Sequence, residues 1–208
     1  MLESFAPQIV NINPLVLTID GFLSDAECDG LIGAAQGRLY RATTDDADER
    51  GNVSVQRTND HCSATPQEVP ESFPILMKLG MILRIPFQHA EGPMILHYTQ
   101  AEEFKPHSDG LPLDGSGRNT AEFERRGGQR LFSTLMYLND VEQGGGTGFP
   151  ELGLSIPPKR GRLLVFANTM AGSRELARLS VHAGEPVTAG EKWAAIAWWR
   201  ERPRADAT

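Results

Sequence analysis

Two histidines and one aspartate have the types and spacing of a metal centre. Phe104-Lys105-Pro106-His107-Ser108-Asp109 sets an imidazole and a carboxylate two positions apart, and Val181-His182-Ala183-Gly184 supplies a second imidazole far downstream. Two histidines and one carboxylate hold iron(II) on one face and leave the opposite positions open for chemistry. Alternate residues of a strand point the same way, so His107 and Asp109 can reach one centre while Ser108 turns aside. His182 must arrive from another strand. The same donors also suit zinc or manganese. A His-x-Asp pair alone arises often by chance. The distal histidine in a Val-His-x-Gly setting, with Lys192 ten positions beyond it, makes the pattern specific.

Lys192 opens the run Lys-Trp-Ala-Ala-Ile-Ala-Trp-Trp. Strand alternation puts Lys192, Ala194, Ile196 and Trp198 on one face and Trp193, Ala195, Ala197 and Trp199 on the other. Both faces are largely apolar, so the strand should be buried, and a buried charge without a partner is costly. An incoming carboxylate would supply that partner through a charge-assisted hydrogen bond. An internal Asp or Glu, or a lysine stem that snorkels to water, are the competing readings. His61 and His89 sit in polar or turn-like surroundings and are expected at the surface. His97 should face away from its neighbour Tyr98.

The elements that would carry these residues follow from periodicity and punctuation. Leu15–Ile19 reads as a strand. Ser24 with Glu27 three residues on forms a capping box, and Cys28, Leu31, Ile32 and Ala35 then recur at helical spacing until Gly37. Ser72–Ile85 is a second helical pattern closed by Pro86. Met94–Tyr98, Leu131–Leu138, Arg162–Phe166 and Trp193–Trp199 are short, apolar and bounded by Gly or Pro, which predicts strands. Thr43–Asn52 and Gly110–Gly128 read as polar loops, the latter an insertion directly after Asp109. Helices first and strands afterwards imply an α+β domain with helices bracing a mainly antiparallel sheet that closes into a barrel or sandwich.

The chain has 208 residues, 40% hydrophobic and 23% charged, which suits one soluble domain. A net charge of −7 with no dense basic run argues against a nucleic-acid backbone as partner. No apolar run is long enough for a membrane span, no signal peptide is evident, and two cysteines do not make a disulfide framework. A cytoplasmic protein with no membrane partner is the simple expectation.

The order of motifs resembles the prolyl 4-hydroxylase branch of the iron(II)/2-oxoglutarate-dependent dioxygenases. Phe22-Leu23-Ser24 with Glu27-Cys28, Arg57-Thr58, Tyr98, His107-x-Asp109 and Tyr137-Leu138-Asn139-Asp140 come first. Gly144-Gly145-Gly146-Thr147 with Phe149-Pro150, Pro158-x-x-Gly161, Phe166, His182 and Gly190-x-Lys192-Trp193 complete it. The resemblance implies a double-stranded β-helix (a jelly-roll, cupin-like core) with N-terminal helices packed on one face, in one domain over 1–208 with its core at about 15–200. It implies that His107, Asp109 and His182 bind iron, that Lys192 pairs with the remote carboxylate of 2-oxoglutarate, that Tyr98 gives that cosubstrate a hydroxyl, that Trp198 lines the pocket near the metal, and that Arg57 stands near the substrate.

The implied reaction is hydroxylation of a C–H bond with dioxygen as second cosubstrate and release of succinate and carbon dioxide; ascorbate is a further candidate cofactor. A peptide or protein prolyl substrate is the leading reading. A small-molecule substrate such as a free amino acid, a non-catalytic cupin-like metal module and a nucleic-acid demethylase are the others. The chain departs from the family pattern where Gly146 replaces the glutamate of Gly-Gly-Glu-Thr, where Phe104 replaces a common tyrosine, and in the Gly110–Gly128 insertion. Asp109 is present, which disfavours the halogenating relatives.

Overall fold

The computed structural model describes residues 6–41, 56–113 and 120–204. In chain order it contains β1 (Gln8–Asn11), β2 (Val16–Ile19), α1 (Asp25–Ala35), β3 (Tyr40–Arg41), β4 (Asp60–Ser63), α2 (Ser72–Leu83), β5 (Ala90–Tyr98) and β6 (Phe104–His107). Then follow α3 (Thr120–Arg125), β7 (Arg130–Tyr137), β8 (Gln143–Gly144), β9 (Thr147–Phe149) and β10 (Leu154–Ile156). The last strands are β11 (Leu163–Ala167), β12 (His182–Gly184), β13 (Val187–Ala189) and β14 (Lys192–Arg200).

The strands form an eight-stranded sheet in the order β1-β2-β11-β7-β14-β5-β4-β3, a four-stranded sheet β10-β9-β12-β6, and the small pair β13-β8, all antiparallel. Alternation divides the large sheet between two cores. Trp193, Ala195, Ala197 and Trp199 of β14, with Ile95 of β5, Met136 of β7 and Val165 of β11, pack against Cys28, Leu31 and Ala35 of α1 and Ile75, Leu76 and Leu79 of α2. Ala194 and Ile196, with Leu96, Leu135 and Phe166, face Phe149 and Ile156 of the small sheet. Helices therefore cover one face of the large sheet and the small sheet covers the other. This is the jelly-roll arrangement expected from the sequence.

Local signals account for the elements. Ser24 and Glu27 close the capping box at the start of α1, with Ser24 Oγ accepting from the Glu27 N–H and the Ser24 N–H donating to Glu27 Oε2. The backbone turns at Gly37, φ +75°. α2 tolerates Pro74 because it lies in the first turn, where no intrahelical N–H bond is lost, and it ends at Arg84 in the left-handed conformation just before Pro86.

Three expectations need correction. The strand expected at Met94–Tyr98 begins at Ala90 and runs through Pro93, because its pairing with β14 breaks register between Ile196 and Trp198 and Gly92 takes φ +98°. His61 is not at the surface. It lies on β4 opposite Leu96, is 5% exposed, and meets the edge of the Tyr40 ring, since strand β3 covers it. The Gly110–Gly128 stretch carries helix α3; its residues 114–119 lie outside the described set, as does the loop expected at Thr43–Asn52. His89 is half-buried with Nδ1 2.9 Å from the Arg200 carbonyl, and His97 turns away from Tyr98 to stack on Trp193 and meet Glu191. No helix among the described residues is long and apolar enough to cross a membrane.

Candidate active site

β6 and β12 are neighbours in the small sheet, and their register sets His107 opposite His182. Asp109 lies just past the end of β6. One donor atom from each of the three side chains falls within 4.8 Å of the others. The Asp109 carboxylate sits between the rings, with Oδ1 3.5 Å from His107 Nε2 and Oδ2 3.5 Å from His182 Nε2.

The hydrogen bonds behind the rings fix which nitrogens face inward. His107 Nδ1 lies 2.9 Å from the Lys105 carbonyl and His182 Nδ1 lies 3.0 Å from the Ser180 carbonyl. A carbonyl only accepts, so each Nδ1 carries a proton and it is Nε2 of each ring that faces the centre as the ligating nitrogen. Burial pushes the His182 imidazole down to about 4, against the charge of Asp109, so it is neutral and able to ligate near neutral pH. Burial raises the Asp109 carboxyl, but the two imidazoles beside it and the hydrogen bond from Ser133 outweigh that and hold the group ionised, well below the usual carboxylate range. Ser133 Oγ donates to Asp109 Oδ2 at 2.6 Å and is itself held by Asn168 Nδ2 at 3.0 Å. Such outer bonds aim a carboxylate ligand.

Neighbouring rings hold the imidazoles. Phe104 lies flat on His107 with centroids 3.5 Å apart, and Phe166 packs on His182 at 4.5 Å. Arg57 bridges to Phe104 in backbone pairing, sets its guanidinium 5.1 Å over that ring, and donates Nε–H to Asn59 Oδ1.

The three donors open into a cavity that Arg57, Tyr98, Thr147, Lys192, Ile196 and Trp198 also line. Lys192 is 2% exposed and has no hydrogen-bond acceptor among the described residues. Its ammonium rests over the Tyr98 and Tyr137 rings at 5.1 and 5.5 Å. Burial pushes it down to about 8, opposed by the charge of Glu185. A buried cation without an acceptor beside a cavity fits an anionic ligand. Burial pushes the Tyr98 phenol up to about 12, so it stays a neutral donor. Trp198 carries the Arg130 guanidinium on its face at 4.3 Å, and Arg130 is clamped at 2.9 and 2.7 Å by Glu91.

The structure therefore brings together all seven residues singled out by the sequence: His107, Asp109, His182, Tyr98, Lys192, Trp198 and Arg57. It adds Thr147, which lines the cavity and holds the Tyr137 hydroxyl at 2.7 Å, and the Ser133–Asn168 pair behind Asp109. Thr147 belonged to a matched motif without an assigned contact. Ser133 and Asn168 left no sequence signal, since each is a common polar residue beside a threonine, within or just past an apolar strand. The excursion after Asp109 is pinned at its base, where Gln129 accepts from the Leu111 N–H and donates to the Leu111 carbonyl.

Residues 93–200 match the family model described as the 2OG-Fe(II) oxygenase superfamily. The chain belongs to that superfamily. It is thus a 2-oxoglutarate-dependent dioxygenase that uses iron(II) and dioxygen, which sets aside the non-catalytic cupin-like alternative. Prolyl 4-hydroxylase 1 of Arabidopsis thaliana is 30% identical over 214 residues, covering 94% of this chain and 72% of that protein. The solved 2-oxoglutarate complex of the viral collagen prolyl hydroxylase from Paramecium Bursaria Chlorella virus-1 superposes with a TM-score of 0.67 at 30% identity, over 88% of this chain and 94% of that one. A prolyl hydroxylase from Trichoplax adhaerens, solved with a hypoxia inducible factor peptide, shares the fold with a TM-score of 0.66 at 18% identity, over 92% and 86% of the two chains.

Proposed function

We propose that this chain is a prolyl 4-hydroxylase acting on a peptide or protein, working as one oxygenase domain. The observation that carries the reading is the pairing, in one cavity, of a two-histidine, one-aspartate donor set with the buried, acceptor-less Lys192. In this reading His107, Asp109 and His182 hold iron(II) through two Nε2 atoms and a carboxylate. Lys192 binds the remote carboxylate of 2-oxoglutarate and the Tyr98 hydroxyl donates to the same cosubstrate. Iron(II) with 2-oxoglutarate and dioxygen supplies the oxidising power that places one oxygen atom on a C–H carbon, with succinate and carbon dioxide released.

The protein's share is binding, orientation and exclusion of water. Trp198, held flat by Arg130, and Arg57, held over Phe104, form the remaining wall on which a substrate would rest. The prolyl assignment is supported by relatives at 30% identity that are named as prolyl hydroxylases, one of them a collagen prolyl hydroxylase. Cys28 and Cys62 are free and buried, which suits a reducing cytoplasmic setting.

The test is turnover of proline-rich peptides with iron(II) and 2-oxoglutarate. Gain of one oxygen on a prolyl ring, matched by succinate, is the expected result. Failure on every prolyl peptide, with oxidation of a free amino acid instead, would overturn the substrate assignment.

A further inference from the structure

Glu185 lies at the corner between β12 and β13, and its side chain crosses the back of β9. Its carboxylate accepts from Ser155 Oγ on β10 at 2.7 Å, and its backbone N–H donates to the Gly146 carbonyl at 2.9 Å. β9 is the middle strand here, with Gly148 opposite Ala183 on one side and Ser155 on the other. Residue 185 thus links the β12–β13 corner to β10 through its side chain and to the residue before β9 through its backbone, with the side chain lying over bare backbone.

The backbone is bare for a reason of space. A β-carbon on Gly146 would fall on the Glu185 carboxylate and 2.7 Å from Ser155 Oγ, and one on Gly148 would sit 2.5 Å from Glu185 Oε1. Neither glycine has a positive φ, unlike Gly144 and Gly145 just before them, so conformation does not demand glycine at either position. A side chain at either position would have to displace the Glu185 carboxylate, and at Gly146 the Ser155 hydroxyl as well. Between the two glycines Thr147 points the opposite way, into the cavity, and holds the Tyr137 hydroxyl, whose ring is one of the two on which Lys192 rests.

We propose that Glu185 is a positioning residue for the cosubstrate. It straps β9 from behind and so fixes Thr147 and Tyr137 around the Lys192 end of the cavity. A carboxylate carried on position 146 would point at the place that the Glu185 carboxylate occupies. The inference rests on the reading that Lys192 receives 2-oxoglutarate.

The test measures 2-oxoglutarate affinity by calorimetry on manganese(II)-loaded protein, without turnover, beside KM and kcat of the iron enzyme. Glu185→Ala should weaken binding and raise the KM for 2-oxoglutarate roughly tenfold, the scale of one lost hydrogen bond to a charged group, with kcat at saturating cosubstrate kept. Glu185→Gln, which retains an acceptor for Ser155, should stay within about threefold of the parent. Gly146→Glu alone should weaken binding, because two carboxylates then compete for one place. Glu185→Ala combined with Gly146→Glu should recover most of the affinity. Unchanged affinity in Glu185→Ala, or a double variant worse than both single ones, would overturn the strap while leaving the Lys192 reading intact. Parent protein that binds no 2-oxoglutarate would overturn both.

Discussion

Replacing Lys192 with methionine should stabilise the protein while disabling it. The side chain is 2% exposed, and burial pushes its ammonium from 10.5 down to about 8. At about 1.4 kcal/mol for each tenfold change, that drop represents ~3 kcal/mol of penalty for carrying the charge in the folded state. Contacts with the Tyr98 and Tyr137 rings return on the order of 1 kcal/mol. Methionine has similar length and no charge to desolvate, so a net gain of roughly 2 kcal/mol is expected near pH 7.

The sign with pH follows from the lowered value. Below about 8 the ammonium is charged in both folded and unfolded chains and the penalty is complete. Between about 8 and 10.5 only the unfolded chain holds that proton, so the parent's stability climbs with pH relative to the variant. Above 10.5 the advantage of methionine should have gone. Urea denaturation of both proteins, metal-free, at several pH values reads this directly. Calorimetry should show 2-oxoglutarate binding weakened by roughly tenfold to a hundredfold, the range of one charge-assisted contact. A variant less stable than the parent at neutral pH, or a difference that does not shrink above pH 8, would refute the claim that Lys192 is a buried charge awaiting an anion.

Two further outcomes follow from the groups around the site. Ser133→Ala removes the hydroxyl that aims Asp109 at 2.6 Å, and iron(II) affinity should fall by about tenfold, as read by metal competition titration. Glu91 is bonded by Arg130 and Arg200; burial raises its carboxyl, but the two arginines outweigh that and bring it from 4.5 down to about 2. Its stabilisation is complete above 4.5 and is lost as pH falls towards 2, so Glu91→Gln should cost about 2–3 kcal/mol in neutral denaturation, with the gap closing across that acid window.

The site was legible where chemistry demands rare residue types at fixed intervals. His107 and Asp109 at i and i+2, the distal His182 and the lysine in an apolar strand leave few alternatives, and the two faces of β14 follow from alternation alone. Strands of three residues such as β9, β10, β12 and β13 are too short to show a period, so the sequence calls for a second strand at His182 without giving its bounds or its partners β9 and β10. Gly92-Pro93 read as a strand boundary, yet a register break in the partner lets β5 pass through it. His61 kept polar neighbours in sequence but gained Tyr40 over its ring, a long-range contact that no local window contains.

The most direct test of the central claim is anaerobic titration of the iron(II)-loaded protein with 2-oxoglutarate, watching for a visible charge-transfer band, in the parent, His107→Ala and Lys192→Met. The account predicts a saturable band in the parent, none in His107→Ala, and a band needing far more 2-oxoglutarate in Lys192→Met. A folded, iron-loaded parent with no band, or a Lys192→Met protein that saturates like the parent, would contradict it.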